Sequence, residues 1–257
     1  MPSDDELHLE RRDSCAWITL DRPPLNLLTP DLIARLRETF ASLHRDGSIR
    51  AAVIAGAGRH MTGGMQLQVL RDLSVASARD LVSQLHDAIR AVHEAPFPTI
   101  AMVNGACLGA GFELAMACDL RVASSDAKFG LPEVRVGIPS VIQAAILPYL
   151  VGHGRAAELL LRGGSIGADQ ALGWGLVNRV VQPGELRTAT EQLVGELLGC
   201  GPQALRLQKE LIIRWRNADL ESAIRAGIEA FARAYSSNGP REAMQAFLEK
   251  RPPRLDG

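Results

Sequence analysis

The stretch Asn104–Asp119, NGACLGAGFELAMACD, restricts this chain more than any other. An apolar run, Thr99–Val103 (TIAMV), leads into it, and Gly105, Gly109 and Gly111 follow within a few residues. Then comes FELAMAC, apolar except for Glu113. The pattern predicts a buried strand, a tight loop and a helix N-terminus. Such a junction gathers unpaired backbone N–H groups, with the helix dipole behind them. The spacing is neither a phosphate loop, because no Gly-Lys-Ser/Thr follows, nor the dinucleotide fingerprint G-x-G-x-x-G. Two readings stay open on spacing alone. One is a plain strand-to-helix turn. The other is an anion-stabilising pocket in which N–H groups near Ala110 polarise a carbonyl oxygen.

The chain around this stretch reads as α/β. AWITLDRPP begins as a strand and stops at Pro23–Pro24. Thr29-Pro30-Asp31 has the form of a helix start, and Leu32, Leu36, Phe40 and Leu43 recur at helical spacing until Asp46–Gly47. A second helix is expected from about Ser77, with Leu81, Leu85, Ile89 and Val92 on one face. Ala51–Gly58, TIAMV and LRVAS are short apolar strands, each opening into a glycine-bearing loop. Lys128 and its neighbours in DAKFGLPEVRVGIPS read as loop. VIQAAILPYL, RAAELLLRG and ADQALG read as helices, and LVNRVV as a strand.

The last sixty or so residues carry helical stripes without strands: Ala204, Leu207, Leu211 and Trp215, then Leu220, Ile224, Ile228, Phe231 and Tyr235, then Met244, Phe247 and Leu248. The expected division is a core over residues 1–196 and a helical region over 197–257 that packs on the core or on another subunit. Arg206, Lys209, Arg214 and Arg216 read as a solvated basic face.

Composition excludes several classes. Lys+Arg 28 against Asp+Glu 29 leaves no basic field for nucleic acid, and 4% aromatic residues make base-stacking platforms improbable. No apolar run reaches the ~20 residues of a membrane span. The acidic, polar N-terminus is not a signal or transit peptide. Cys15, Cys107, Cys118 and Cys200 form no C-x-x-C pair and are too sparse for a disulfide framework, so a reducing cytoplasm is expected. No metal site is expected, since His93-Glu94 is not H-E-x-x-H.

Glu113 is an acid in a first helical turn, where it stabilises the dipole with or without a further task. Glu133, after Pro132, is equally ambiguous alone. Together the two carboxylates would be equipment for moving protons at adjacent carbons. Gly163-Gly164-Ser165-Ile166-Gly167 matches G-x-S-x-G, but a helix-like run precedes it and all six histidines lie before Ser165. A nucleophile elbow needs a strand before it and a later histidine, so Ser165 is assigned to a turn. His60, in a glycine loop, is assigned to the surface.

These motifs, taken together, resemble the crotonase superfamily, the enoyl-CoA hydratase/isomerase family. The resemblance runs from DRPPLNLLTPDL through AAVIAGAGRHMTGGMQL, the central stretch and GADQALGWGLVNRVV to AFLEKRPP. It implies a spiral of β-β-α units with a C-terminal helical trimerisation region, in homotrimers or homohexamers. It implies an acyl-CoA thioester substrate, with coenzyme A as part of the substrate and no resident cofactor. The backbone N–H groups of Met65 and Ala110 are the implied oxyanion hole. Glu113 and Glu133 are the implied catalytic pair of a hydratase, Glu113 acting on water at C3 and Glu133 delivering a proton to C2. Leu25, Leu27, Gly63 and Gly64 are implied CoA contacts, joined by Phe247 and Lys250 from a neighbouring subunit. A double-bond isomerase uses the same pair, and a non-catalytic acyl-CoA- or RNA-binding relative is the rival from another class. The chain departs from the family pattern at Gln66, where an acid is usual, at Ala110, where glycine is usual, and at Pro139–Gln143, where a glycine-rich run is usual.

Overall fold

A computed structural model describes residues 6–254. The first half contains β1 (Leu7–Arg12), β2 (Cys15–Leu20), α1 (Pro30–Arg45), β3 (Ala51–Gly56), α2 (Leu67–Arg71), α3 (Val75–His93), β4 (Thr99–Val103), β5 (Ala106–Leu108), α4 (Ala110–Ala117), β6 (Leu120–Ser124) and β7 (Lys128–Gly130). Then follow α5 (Leu147–Val151), α6 (His153–Arg162), β8 (Ser165–Gly167), α7 (Ala168–Gly173), β9 (Arg179–Val181), α8 (Leu186–Leu198), α9 (Pro202–Trp215), α10 (Leu220–Ala234) and α11 (Gly239–Leu248).

The strands form two sheets. The larger runs β1-β2-β3-β4-β6-β9, parallel except for the antiparallel β1–β2 pair. The smaller runs β5-β7-β8, with β5 and β7 parallel. Successive turns of the chain give one strand to each: β3 and then Thr62, which bridges to Cys107; β4 and then β5; β6 and then β7. The three apolar strands expected from sequence are β3, β4 and β6.

Side-chain alternation divides the core in two. Ala16, Ile18, Ala52, Ile54, Ala101 and Val103 face the main core, which includes α1, α3 and α4. Trp17, Val53, Ile100 and Val122 face the other way and are covered by Leu186, Ala189 and Val194 of α8. A strand buried on both faces has no polar side chain to spare, which is why β3 reads AAVIAG.

Local chemistry sets several boundaries. Thr29 caps α1 by accepting the Leu32 N–H, with Pro30 opening the helix. α3 begins two residues before Ser77, because Ser74 and Ser77 form a reciprocal capping box. Leu81, Leu85, Ile89 and Val92 are buried on it.

Other expectations are corrected. Lys128–Gly130 is a strand, not loop, and a 3-10 turn spans Glu133–Val136. The helix expected at VIQAAILPYL is a 3-10 turn over Ile142–Ile146 followed by α5. Ser165 begins strand β8, whose pairing with β7 supplies the extended geometry that sequence alone did not show. Lys209 is not on a solvated face: its Nζ is buried, 2.7 Å from both carboxylate oxygens of Asp119. Arg216 stays exposed, its Nη1 3.4 Å from His93 Nε2.

α9 and α10 pack on each other through a small cluster of their own, Leu207, Leu211, Ala226 and Ala230. The opposite face of α10 leaves Leu220, Ile224, Ile228 and Phe231 exposed, as are Met244, Phe247 and Leu248 on α11.

Candidate active site

The small sheet explains how distant segments converge. Thr62, Cys107 and Phe129 lie side by side in parallel register. Parallel neighbours advance in the same direction, so whatever follows each strand emerges at the same edge. Three residues beyond Thr62 and Cys107 come Met65 and Ala110, and four beyond Phe129 comes Glu133. Ligands of parallel sheets gather at this carboxyl edge for the same reason.

Gly109 and Gly64 make the convergence sterically possible. Gly109 has φ +53°, and a Cβ there would lie 2.7 Å from Oε1 of Glu133 and 3.9 Å from Cα of Gly64. Gly64 has φ +95°, and a Cβ there would lie 2.9 Å from the Leu108 carbonyl oxygen and 3.7 Å from the Ala110 nitrogen. Both positions combine a left-handed backbone with close approach, which only glycine tolerates cheaply.

Two N–H groups at this edge are unspent. Leu28 donates to the Gly64 carbonyl and accepts from the Gln66 N–H, so the Met65 N–H between them points away from Leu28. Ala110 is the first residue of α4, where a helix N–H has no partner four residues back. Among the described residues neither N–H meets a hydrogen-bond acceptor. Ala110 carries its methyl group without a positive φ, since Gly109 makes the turn.

Glu113 lies one turn into α4 and is only 3% exposed. Burial, and next the charge of Glu133, push its carboxyl up to about 8. The backbone N–H groups of Val141 and Ala144 pull the other way. Burial thus favours its protonated form. Glu133 is half-buried, and its Oε2 accepts a 2.7 Å hydrogen bond from the Ser140 hydroxyl. The structure thus brings together Glu113, Glu133, Met65 and Ala110, which no spacing rule had joined. Ser140 was noted in the sequence only as part of an atypical run.

Leu25, Leu27 and Gly63 also meet. Gly63 donates its N–H to the Leu25 carbonyl at 2.8 Å, and its Cβ position is 3.1 Å from Leu27 Cδ2. Phe247 lies near the end of α11 and Lys250 just beyond it, both exposed. His60 is structural: its Nδ1 accepts the Ala106 N–H at 3.1 Å and so pins the start of β5. Cys15, Cys107 and Cys118 are buried free thiols, and burial pushes that of Cys15 up to about 12. Among the described residues, no cluster of three or more His, Cys, Asp or Glu is placed to hold a metal. No helix among them is long and apolar enough to cross a membrane.

Comparison with known proteins agrees with this architecture. Residues 10–257 match the family described as Enoyl-CoA hydratase/isomerase. The chain is 35% identical to the short-chain-enoyl-CoA hydratase of Clostridium acetobutylicum, covering 95% of this chain and 94% of that protein. It is also 35% identical to the crotonyl-CoA hydratase of Syntrophomonas wolfei, covering 96% of each. The crystal structure of an enoyl-CoA hydratase from Bacillus anthracis superposes with a TM-score of 0.94 at 30% identity, covering 98% of this chain and 99% of that one. With its paired sheets, its spiral of β-β-α units and its C-terminal helices, this chain belongs to the crotonase superfamily, the enoyl-CoA hydratase/isomerase family.

Proposed function

We infer that the protein adds water across the 2,3-double bond of a short-chain enoyl-CoA thioester. The observation that carries this is the meeting of two carboxyl groups and two unpaired N–H groups at one edge of the small sheet. The Met65 and Ala110 N–H groups receive the thioester oxygen and stabilise the enolate as charge moves onto it. Donors of this kind are worth ~3 kcal/mol each to a transition state. Leu25, Leu27, Gly63 and Gly64 flank the entry to this edge and contact the CoA chain. Phe247 and Lys250 reach the nucleotide of a neighbouring subunit's substrate, Lys250 as a point charge on phosphate.

Hydration needs one carboxylate to take a proton from water and one carboxylic acid to give a proton to C2, so the pair must hold one proton between them. Burial favours the protonated form of Glu113 in the unliganded protein. Glu113 acts as carboxylate on the water at C3, and Glu133 as acid gives the proton to C2. Oxygen then bonds to C3, the π electrons move toward the thioester, and the enolate collapses as C2 is protonated. The net addition is one water.

The same pair supports double-bond isomerisation, in which one carboxyl carries a proton between carbons. Separate incubations with 2-enoyl- and 3-enoyl-CoA distinguish the two by product mass, since only hydration adds a water. Glu113→Gln and Glu133→Gln are each expected to lower crotonyl-CoA hydration by at least ~100-fold. Wild-type turnover by both variants would overturn the assignment. Salt-dependent RNA binding without thioester turnover would favour the non-catalytic relative.

A further inference from the structure

The segment Pro139–Ala144 runs beside both carboxyl groups. The backbone N–H groups of Val141 and Ala144 draw the Glu113 carboxyl down against its burial, the Ala144 N–H while donating to the Val141 carbonyl at 2.9 Å, and the Ser140 hydroxyl donates to Glu133 Oε2 at 2.7 Å. The other oxygen, Oε1, faces the Gly109 turn. Between these contacts lies Ile142 at φ +52°, a left-handed conformation that a β-branched residue adopts only when its surroundings impose it. The turn therefore holds a defined shape at a cost.

We propose that Ser140 is a positioning residue that fixes the Glu133 carboxylate against Glu113, leaving Oε1 as the oxygen that meets the reacting atoms. A glutamate has three side-chain torsions, and a half-exposed one samples several of them unless a partner selects one. Ser140 is the only side chain among the described residues that hydrogen-bonds to Glu133. Its hydroxyl engages the oxygen remote from the glycine turn, so it restrains the carboxylate without occupying the oxygen that faces the site. The strained Ile142 backbone holds the shape of the turn that presents Ser140 to Glu133.

This assignment rests on the hydratase reading for its catalytic meaning, but its geometry is tested without turnover. The charge of Glu133 is the second cause of the raised Glu113 carboxyl, after burial. Releasing Glu133 from Ser140 weakens that repulsion. In a 13C NMR titration of the glutamate carboxyls, with the Glu113 signal assigned by its loss in Glu113→Gln, Ser140→Ala is expected to lower the Glu113 midpoint from about 8 by roughly one pH unit. Ser140→Thr, which keeps the hydroxyl, should restore it. On crotonyl-CoA, Ser140→Ala should lower kcat by ~10–100-fold with KM within about twofold, and move the upper limb of the pH profile in the same direction. Ser140→Cys, a poor donor of similar volume, carries the same test if the alanine variant fails to fold. An unmoved Glu113 midpoint in the alanine or cysteine variant would overturn the proposal. If the wild-type protein hydrates no enoyl thioester, the hydratase reading falls while the titration still decides the role of Ser140.

Discussion

Lys209 reaches from α9 to place its Nζ 2.7 Å from both carboxylate oxygens of Asp119, two residues beyond the helix that carries Glu113. Asp119 also accepts the Thr99 N–H at 2.8 Å and the Thr99 hydroxyl at 3.0 Å. The pair thus ties the C-terminal helices to the start of β4 and the end of α4. Removing one member of a buried ion pair leaves the other without compensation, which costs ~3–5 kcal/mol. Lys209→Met is expected to lower urea unfolding stability by about that much, whereas Arg214→Met, on the same helix and exposed, should change it by under ~1 kcal/mol. Equal effects from the two would show that Asp119–Lys209 is not the anchor.

The Glu113 carboxyl makes stability depend on pH in a defined direction. Its folded-state midpoint, about 8, lies above the ordinary 4.5. Between these values the folded protein keeps a proton that the unfolded chain has released. The contribution is fully present below pH ~4.5 and is lost as pH rises through about 8, with a total of roughly 5 kcal/mol. Glu113→Gln keeps a neutral side chain throughout and should be more stable than the wild type at pH 8 but not at pH 5. Urea unfolding at these two pH values checks it, and parallel pH dependence of the two proteins would count against a buried proton on Glu113.

Gly109 is the point where backbone and carboxylate come closest. Gly109→Ala forces a side chain into φ +53° and puts a Cβ 2.7 Å from Glu133 Oε1. The backbone strain costs ~1–2 kcal/mol, a loss of a few degrees in Tm for a chain of this size. Glu133 can swing aside, so the larger effect should fall on activity, with kcat for crotonyl-CoA down at least ~10-fold. Gly184→Ala, in an exposed 3-10 turn with open space around it, serves as the control and should change neither.

What was legible in the sequence, and what was not, follows from the range of the interactions. α1 was readable because its cap, Thr29, and first residue, Pro30, are local signals. β3, β4 and β6 were readable because both their faces are buried. β1 was hidden: LHLERR is an edge strand with only Leu7 buried, and its partner is β2. β5, β7 and β8 have three residues each, too few to show a period, and exist through pairing with one another. Glu113 and Glu133 meet only because β5 and β7 are parallel neighbours, which a separation of twenty residues does not encode. The motif resemblance supplied that pairing in advance. It did not supply Ser140 on Glu133, because the run that contains Ser140 departs from the family pattern.

The outward face of α10 carries the last prediction. Ile228 and Phe231 are 62% and 68% exposed, and with Leu220 and Ile224 they form a continuous apolar stripe on a helix whose other face already packs on α9. An exposed apolar stripe of this kind is expected to be covered by a partner. The expected partner is another copy of this chain, in a trimer that brings Phe247 and Lys250 of one subunit to the CoA of the next. Size-exclusion chromatography with light scattering should give a mass three or six times that of one chain for the wild type. Ile228→Glu with Phe231→Glu should yield monomers that remain folded, since neither residue contributes to the cores described above. KM for crotonyl-CoA should then rise by at least ~10-fold, as the neighbouring subunit's contacts are lost. A monomeric wild type with full activity would remove Phe247 and Lys250 from the site.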